Sequence, residues 1–136
     1  MLHATRACKS YLLAMADQKL TPLQAERVQQ IGDFQRSLAR IRKLIGDLES
    51  SRAARPQVLQ DIGGQIAREC SRLRARAVSA NIGTVADVAG QLSVAANRSS
   101  GLLMKLRTLN DGVASIGFQL DRAMTAATTP ESQHPE

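Results

Sequence analysis

The stretch TPLQAERVQQIGDFQRSLARIRKLIGDLES, Thr21 to Ser50, decides how this chain folds. Its large apolar residues Ile31, Phe34, Leu38, Ile41, Ile45 and Leu48 follow one another at alternating steps of three and four residues. That spacing places them on one stripe of a helix, with Arg and Gln outside it, as in the a/d seam of packed helices. The start of the stretch is equally informative. Thr21 stands where a helix N-cap belongs, Pro22 at the first helical position and Gln24 at the third. A Thr hydroxyl can accept from the third amide while the Gln side chain reaches back, and Pro fits a position that needs no amide donor. The helix should run to about Ala53 and end before Arg55-Pro56, because a residue preceding proline is pushed out of the helical region.

The same logic extends in both directions. His3 to Lys19 reads as a short helix, with Ala4, Cys8, Tyr11, Leu12 and Met15 at helical spacing. A third helix starts near Pro56 and carries Leu59, Ile62, Ile66, Cys70, Leu73, Ala77 and Ala80 along one side. Gly63-Gly64 lies inside it, each glycine costing about 1 kcal/mol relative to Ala. A close helix crossing and a local irregularity are both adequate reasons for the pair. Asn81-Ile82-Gly83-Thr84 reads as a turn, with Thr84 as cap and Asp87 in the first turn of a fourth helix. That helix holds a seam from Val85 through Val88, Leu92, Ala95, Ser99, Leu102, Leu106, Leu109, Val113, Ile116 and Leu120 to Ala123. Unbroken to Ala127 it would be a rod of about 65 Å, with a bend at Asn97–Gly101 where Asn, Ser and Gly cluster.

Composition agrees with helices. Twenty alanines and sixteen leucines outweigh seven isoleucines and seven valines, and the aromatics are Tyr11, Phe34 and Phe118 alone. Strands favour β-branched and aromatic residues, whereas Ala, Leu, Arg and Gln are strong helix formers. The expected fold is therefore all-α: an elongated antiparallel helical bundle or set of coiled-coil hairpins, with three long helices and a short N-terminal one. Residues 1–127 form its single domain and 128–136 a disordered tail. Fusion of helices three and four into one rod, pairing with a second copy as a coiled coil, is the alternative architecture. No apolar run is long enough to span a membrane. Arg6 and Lys9 precede an apolar segment of about six residues, shorter than a secretory signal needs. Cys8 and Cys70 have neither metal-like nor redox-motif spacing, which suits reduced thiols in a cytoplasmic protein, although a single disulfide between them is the other pairing open to it.

Catalytic residue types are scarce. His3 and His134 lie near the two ends, and no HExxH, paired Cys, Glu-x-x-His or Gly-rich phosphate loop is present. The expectation is a non-enzymatic chain with no cofactor and no metal. Arg36, Arg40 and Lys43 with Glu49 could in principle hold a dianionic substrate between helices; an exposed helix face with Glu49 in a surface pair is the plainer reading.

Two features point to binding. Along the fourth helix, Ala86, Ala89, Gly90, Ser93, Ala96, Asn97, Ser100 and Gly101 flank the seam. Small side chains admit close approach of another backbone, so Gly90, Ser93, Asn97, Ser100, Gly101 and Leu103 form the candidate face for a partner helix or a second copy of the chain, a homodimer. Packing within one bundle explains the stripe equally. Separately, the net charge of +6 is concentrated in segment 34–76, which holds ten basic and four acidic residues. Arg68, Arg72, Arg74 and Arg76 are the candidate contacts for nucleic acid or another polyanion; solvation of outer helix faces explains them as well, and the segment offers no aromatic stacking platform beyond Phe34.

Asn97-Arg98-Ser99-Ser100-Gly101-Leu102-Leu103-Met104 resembles the last long helix of the flagellar hook–filament junction export chaperones of the FlgN type, which tends to carry Asn-x-x-Asn-Gly-x-Leu-Leu/Ile. Asn97, Gly101 and Leu103 match, and Ser100 replaces the second Asn. Lys43-Leu44-Ile45-Gly46-Asp47-Leu48 followed by Arg52 is similar to the mid-chain pattern of that family. The chain is more basic than such chaperones and lacks their aromatic-containing tail. The resemblance implies a helical protein that binds the helical end of an export substrate with its fourth helix.

Overall fold

The computed structural model describes residues 20–129. The expected helix over His3–Lys19, Cys8, both histidines and the tail from residue 130 lie outside the described residues.

Helix α1 spans Pro22–Ser50 and begins as the cap chemistry requires. The Gln24 amide donates to Thr21 Oγ1 at 3.1 Å, and the Thr21 amide donates to Gln24 Oε1 at 2.9 Å. All six residues of the expected seam are buried, joined by Ser37. Arg55, held in extended backbone by the proline after it, caps α2 (Pro56–Ser79). Its buried side is Gly63, Ile66, Ala67, Cys70, Leu73 and Ala77.

Helix α2 closes on Asn81, the only non-glycine residue with positive φ among those described, at 60°. The Asn81 amide donates to the Val78 carbonyl at 3.1 Å and the Ile82 amide to the Ala77 carbonyl at 2.8 Å. This paired closure is the Schellman arrangement, and Asn tolerates the left-handed conformation it needs. It leads the chain straight into α3 (Gly83–Asn97), whose N-cap is Ile82 without a side-chain cap. Thr84 is thus inside the helix rather than capping it. The backbone turn has already set the helix start before Thr84 is reached.

The expected 65 Å rod is broken. Helix α3 ends at Asn97, Arg98 is extended, and α4 (Leu102–Thr128) starts after Gly101. Continuity would have required Ser99 to occupy a seam position, and Asn and Ser compete with helical bonding through their own side chains. The interruption lets α4 fold back along α3. Beyond it, Leu106, Leu109, Val113, Ile116 and Leu120 are buried at the expected positions. The helix reaches Thr128, whose buried hydroxyl donates to the Met124 carbonyl at 2.9 Å, so the boundary expected after residue 127 falls in its last turn.

Among the described residues, the four helices form an all-α antiparallel bundle. Helix α1 packs against α2 and α4, and α3 against α2 and α4. Gln24 at the start of α1 donates to the Thr129 carbonyl at the end of α4 (2.9 Å), and Arg27 to the Ala80 carbonyl at the end of α2 (2.7 Å). With 29 residues, α1 is about 43 Å long. The core runs lengthwise between the helices as one continuous apolar cluster.

Candidate functional site

The small-residue stripe on α3 is taken up inside the molecule. Ala86, Ala89 and Ala96 are buried. A Cβ added to Gly63 of α2 would lie 2.8 Å from the Ala96 carbonyl oxygen, so the two backbones nearly touch there. Ser93 donates to the Ala67 carbonyl at 3.2 Å and lies 2.9 Å from the Ser71 hydroxyl. Gly90 sits beneath the Arg74 side chain, whose Cδ is 3.2 Å from the position a Cβ would take. The candidate face therefore separates. Gly90 and Ser93 serve the α2–α3 contact, Asn97, Ser100 and Gly101 are exposed at the α3–α4 connection, and Leu103 stands on α4, 74% exposed. Asn97, Ser100, Gly101 and Leu103 are exposed; Gly90 and Ser93 do not share their face.

Two residues absent from that candidate face join Leu103. Met104 and Phe118 on α4 are 62% and 63% exposed. Leu103 and Phe118 are separated by about four helical turns and so share a side of α4. Between them along that side lie Arg107, Asp111 and Ala114, all exposed. The Arg122 guanidinium lies over the Phe118 ring at 5.9 Å. The signal was present in the sequence: both Met104 and Phe118 fall off the seam of their helix.

The arginines of α2 do not form one patch. Arg72 donates to Glu69 at 3.1 Å, and Arg40 of α1 approaches the same carboxylate at 3.7 Å. Arg76 lines a groove between α1 and α2 with Gln30, Asp33 and Phe34. Arg74 lies on the opposite side, over Gly90 of α3. Arg68 and Arg72 line a second groove, between α2 and α3. Among the described residues, Arg68, Arg74 and Arg76 enter no ion pair. Arg36 pairs with Asp33, and Glu49 with Arg52 at 3.6 Å, so Arg36, Arg40, Lys43 and Glu49 are strung along α1 rather than converging.

Cys70 is a buried free thiol in the middle of α2. Burial, reinforced by the neighbouring Glu69 charge, pushes its pKa up to about 12, which makes it a packing group rather than a nucleophile. Among the described residues no cluster of His, Cys, Asp and Glu is arranged to hold a metal, and no helix is long and apolar enough to cross a membrane.

These features define an antiparallel helical bundle with three exposed large apolar side chains on one helix and arginine-lined grooves along another. Set against protein-family models, curated proteins and solved structures, the chain matches none.

Proposed function

We propose that this chain is a non-enzymatic interaction module, a cytoplasmic chaperone or adaptor that binds a helical segment of a partner protein along the outer side of α4. The observation that carries the reading is the exposure of Leu103, Met104 and Phe118 on one helix of a chain whose other aromatic residue among those described, Phe34, is buried. Large exposed apolar side chains in the first turn and again past the midpoint of a helix, with charged residues between, suit an amphipathic helix laid alongside. The resemblance of the Asn97–Met104 segment to export chaperones of the flagellar hook–filament junction makes the helical end of such an export substrate the first partner to try.

The test is a titration of the whole protein with helical peptides of that kind. Binding at micromolar affinity is expected, weakened about tenfold or more by Leu103→Asp or Phe118→Ala. Binding unaffected by either substitution would remove α4 as the docking surface. A strictly concentration-dependent dimer that loses its dimerisation with the same substitutions would identify the partner as a second copy.

A second reading rests on Arg68, Arg74 and Arg76 being without carboxylate partners among the described residues. Binding of nucleic acid or another polyanion across α2 would fall steeply with salt. Replacing Arg68, Arg72, Arg74 and Arg76 together by Gln should flatten that slope, and no binding to DNA or RNA at low salt would end this reading.

A further inference from the structure

Adjacent glycines in the first half of α2 have different surroundings. Gly63 is required by packing, since a Cβ there would press on the α3 backbone. Gly64 is not. No glycine among the described residues has positive φ, and a Cβ on Gly64 would meet only Arg68 Nη1, at 3.6 Å. A glycine inside a helix lowers its stability without return when neither backbone nor neighbours need it. Gly64 instead lines an open groove between α2 and α3, about 400 Å³ in volume, together with Ala67, Arg68, Ser71, Arg72, Ser93 and Asn97.

The walls of this groove are rich in donors. The Arg68 guanidinium lies beside Gly64 without a carboxylate partner among the described residues, and Arg72 reaches Glu69 through Nη1 alone. Asn97 adds an exposed carboxamide at the end of α3. The hydroxyls have a different role. Ser93 gives its single hydrogen to the Ala67 carbonyl, so Ser71 must be the donor in the Ser71–Ser93 pair. That relay ties α2 to α3 beside the groove. Two arginines and an asparagine lining one groove, with the Arg68 guanidinium beside a residue that has no side chain, suit a tetrahedral oxyanion, which guanidinium forks recognise through paired hydrogen bonds. No aromatic side chain lines the groove, so a nucleobase would find nothing to stack on.

We propose that the α2–α3 groove lined by Gly64 is a binding site for a single phosphate group, held by Arg68, Arg72 and Asn97. The inference stands apart from docking on α4, because both of its arginines are on α2 and only Asn97 is shared with the segment next to α4. It also differs from a polyanion surface, because it needs two of the four α2 arginines and one defined pocket.

The experiment titrates the whole protein with inorganic phosphate and, separately, with O-phosphoserine, following backbone and arginine side-chain signals by NMR. Saturable shifts centred on Gly64, Arg68, Arg72 and Asn97 are expected, with only a shallow dependence on salt. Arg68→Gln should weaken binding about tenfold or more, while Arg76→Gln leaves it unchanged. Gly64→Ala should raise the melting temperature by about 3 °C and yet weaken binding, an opposition that a purely structural glycine would not produce. Tighter binding of phosphoserine than of phosphate would assign the site to a phosphate ester, and equal binding to the free ion. No saturable shift in either titration, equal losses from Arg68→Gln and Arg76→Gln, or unimpaired binding by Gly64→Ala would each overturn the proposal.

Discussion

The two long interfaces of the bundle are built on different terms. Between α1 and α4, large side chains meet: Leu38, Ile41, Ile45 and Leu48 from one helix, and Leu106, Leu109, Val113, Ile116 and Leu120 from the other, all buried. Between α2 and α3, backbones meet: Gly63 lies against the Ala96 carbonyl, Ala67, Ala86 and Ala89 are buried elsewhere along the two helices, and a Ser71–Ser93 hydrogen bond lies at the edge. The first interface is held by apolar area, which scales with side-chain size and tolerates exchange between similar shapes. The second is held by proximity, where one added methyl group has nowhere to go. Deleting atoms should therefore injure the first, and adding them the second.

The largest expected effect sharpens that contrast. Ile116→Ala should lower the free energy of unfolding in urea by about 3–4 kcal/mol, since it empties a fully buried position in the α1–α4 core. An effect below about 1 kcal/mol would mean that this interface collapses around vacancies and is less closely packed than described. The reverse substitution belongs to α2. Gly63→Ala should destabilise by about 1–3 kcal/mol despite the better helix propensity of Ala, because the obstacle is main chain rather than a movable side chain. Its neighbour Gly64 should respond with the opposite sign, and equal responses of the two would abolish the distinction between them.

The smallest expected effect concerns Cys70, buried in α2. Its folded-state pKa of about 12 lies above the ordinary thiol value of 9.0, so the folded chain retains a proton that the unfolded chain releases at lower pH. The contribution to stability is whole below pH 9 and disappears as pH climbs toward 12, with about 1 kcal/mol lost by pH 10. Unfolding midpoints measured from pH 8 to 10.5 should fall more steeply for the chain bearing Cys70 than for Cys70→Ala. Parallel slopes would show that the thiol is less enclosed than its place among the core residues indicates.

Much of the architecture could be read from residue spacing. The α1 seam and its cap, the start of α2 at Pro56, and the α4 seam from Leu106 to Leu120 were all legible, because side-chain periodicity and capping act within a few residues along the chain. The α3–α4 break was legible only as a bend. Asn97 to Gly101 signals weak helix, but how sharply a weak helix yields depends on what there is to fold back onto. Thr84 misled for a similar reason: its capping chemistry was sound, but the turn at Asn81 had already set the start of α3.

The site was less legible than the fold. Gly90, Ser93, Asn97, Ser100, Gly101 and Leu103 share small size or proximity in sequence, yet the bundle turns some toward α2 and leaves others in water. The four α2 arginines read as one charge cluster, but Arg74 and Arg76, two positions apart, point toward different neighbouring helices. Residues that close in sequence lie on different sides of a helix.

From the chain of residues alone came the helical class, the antiparallel α1–α2 and α2–α3 hairpins and the identity of most core positions, since each follows from local periodicity and turn chemistry; the α3–α4 hairpin did not. Tertiary structure alone decided which small residues became internal contacts, which arginines border a groove, and which of the paired glycines is open to solvent. Those outcomes depend on how two helices approach and rotate against each other, a balance of packing over the whole bundle that no local pattern encodes.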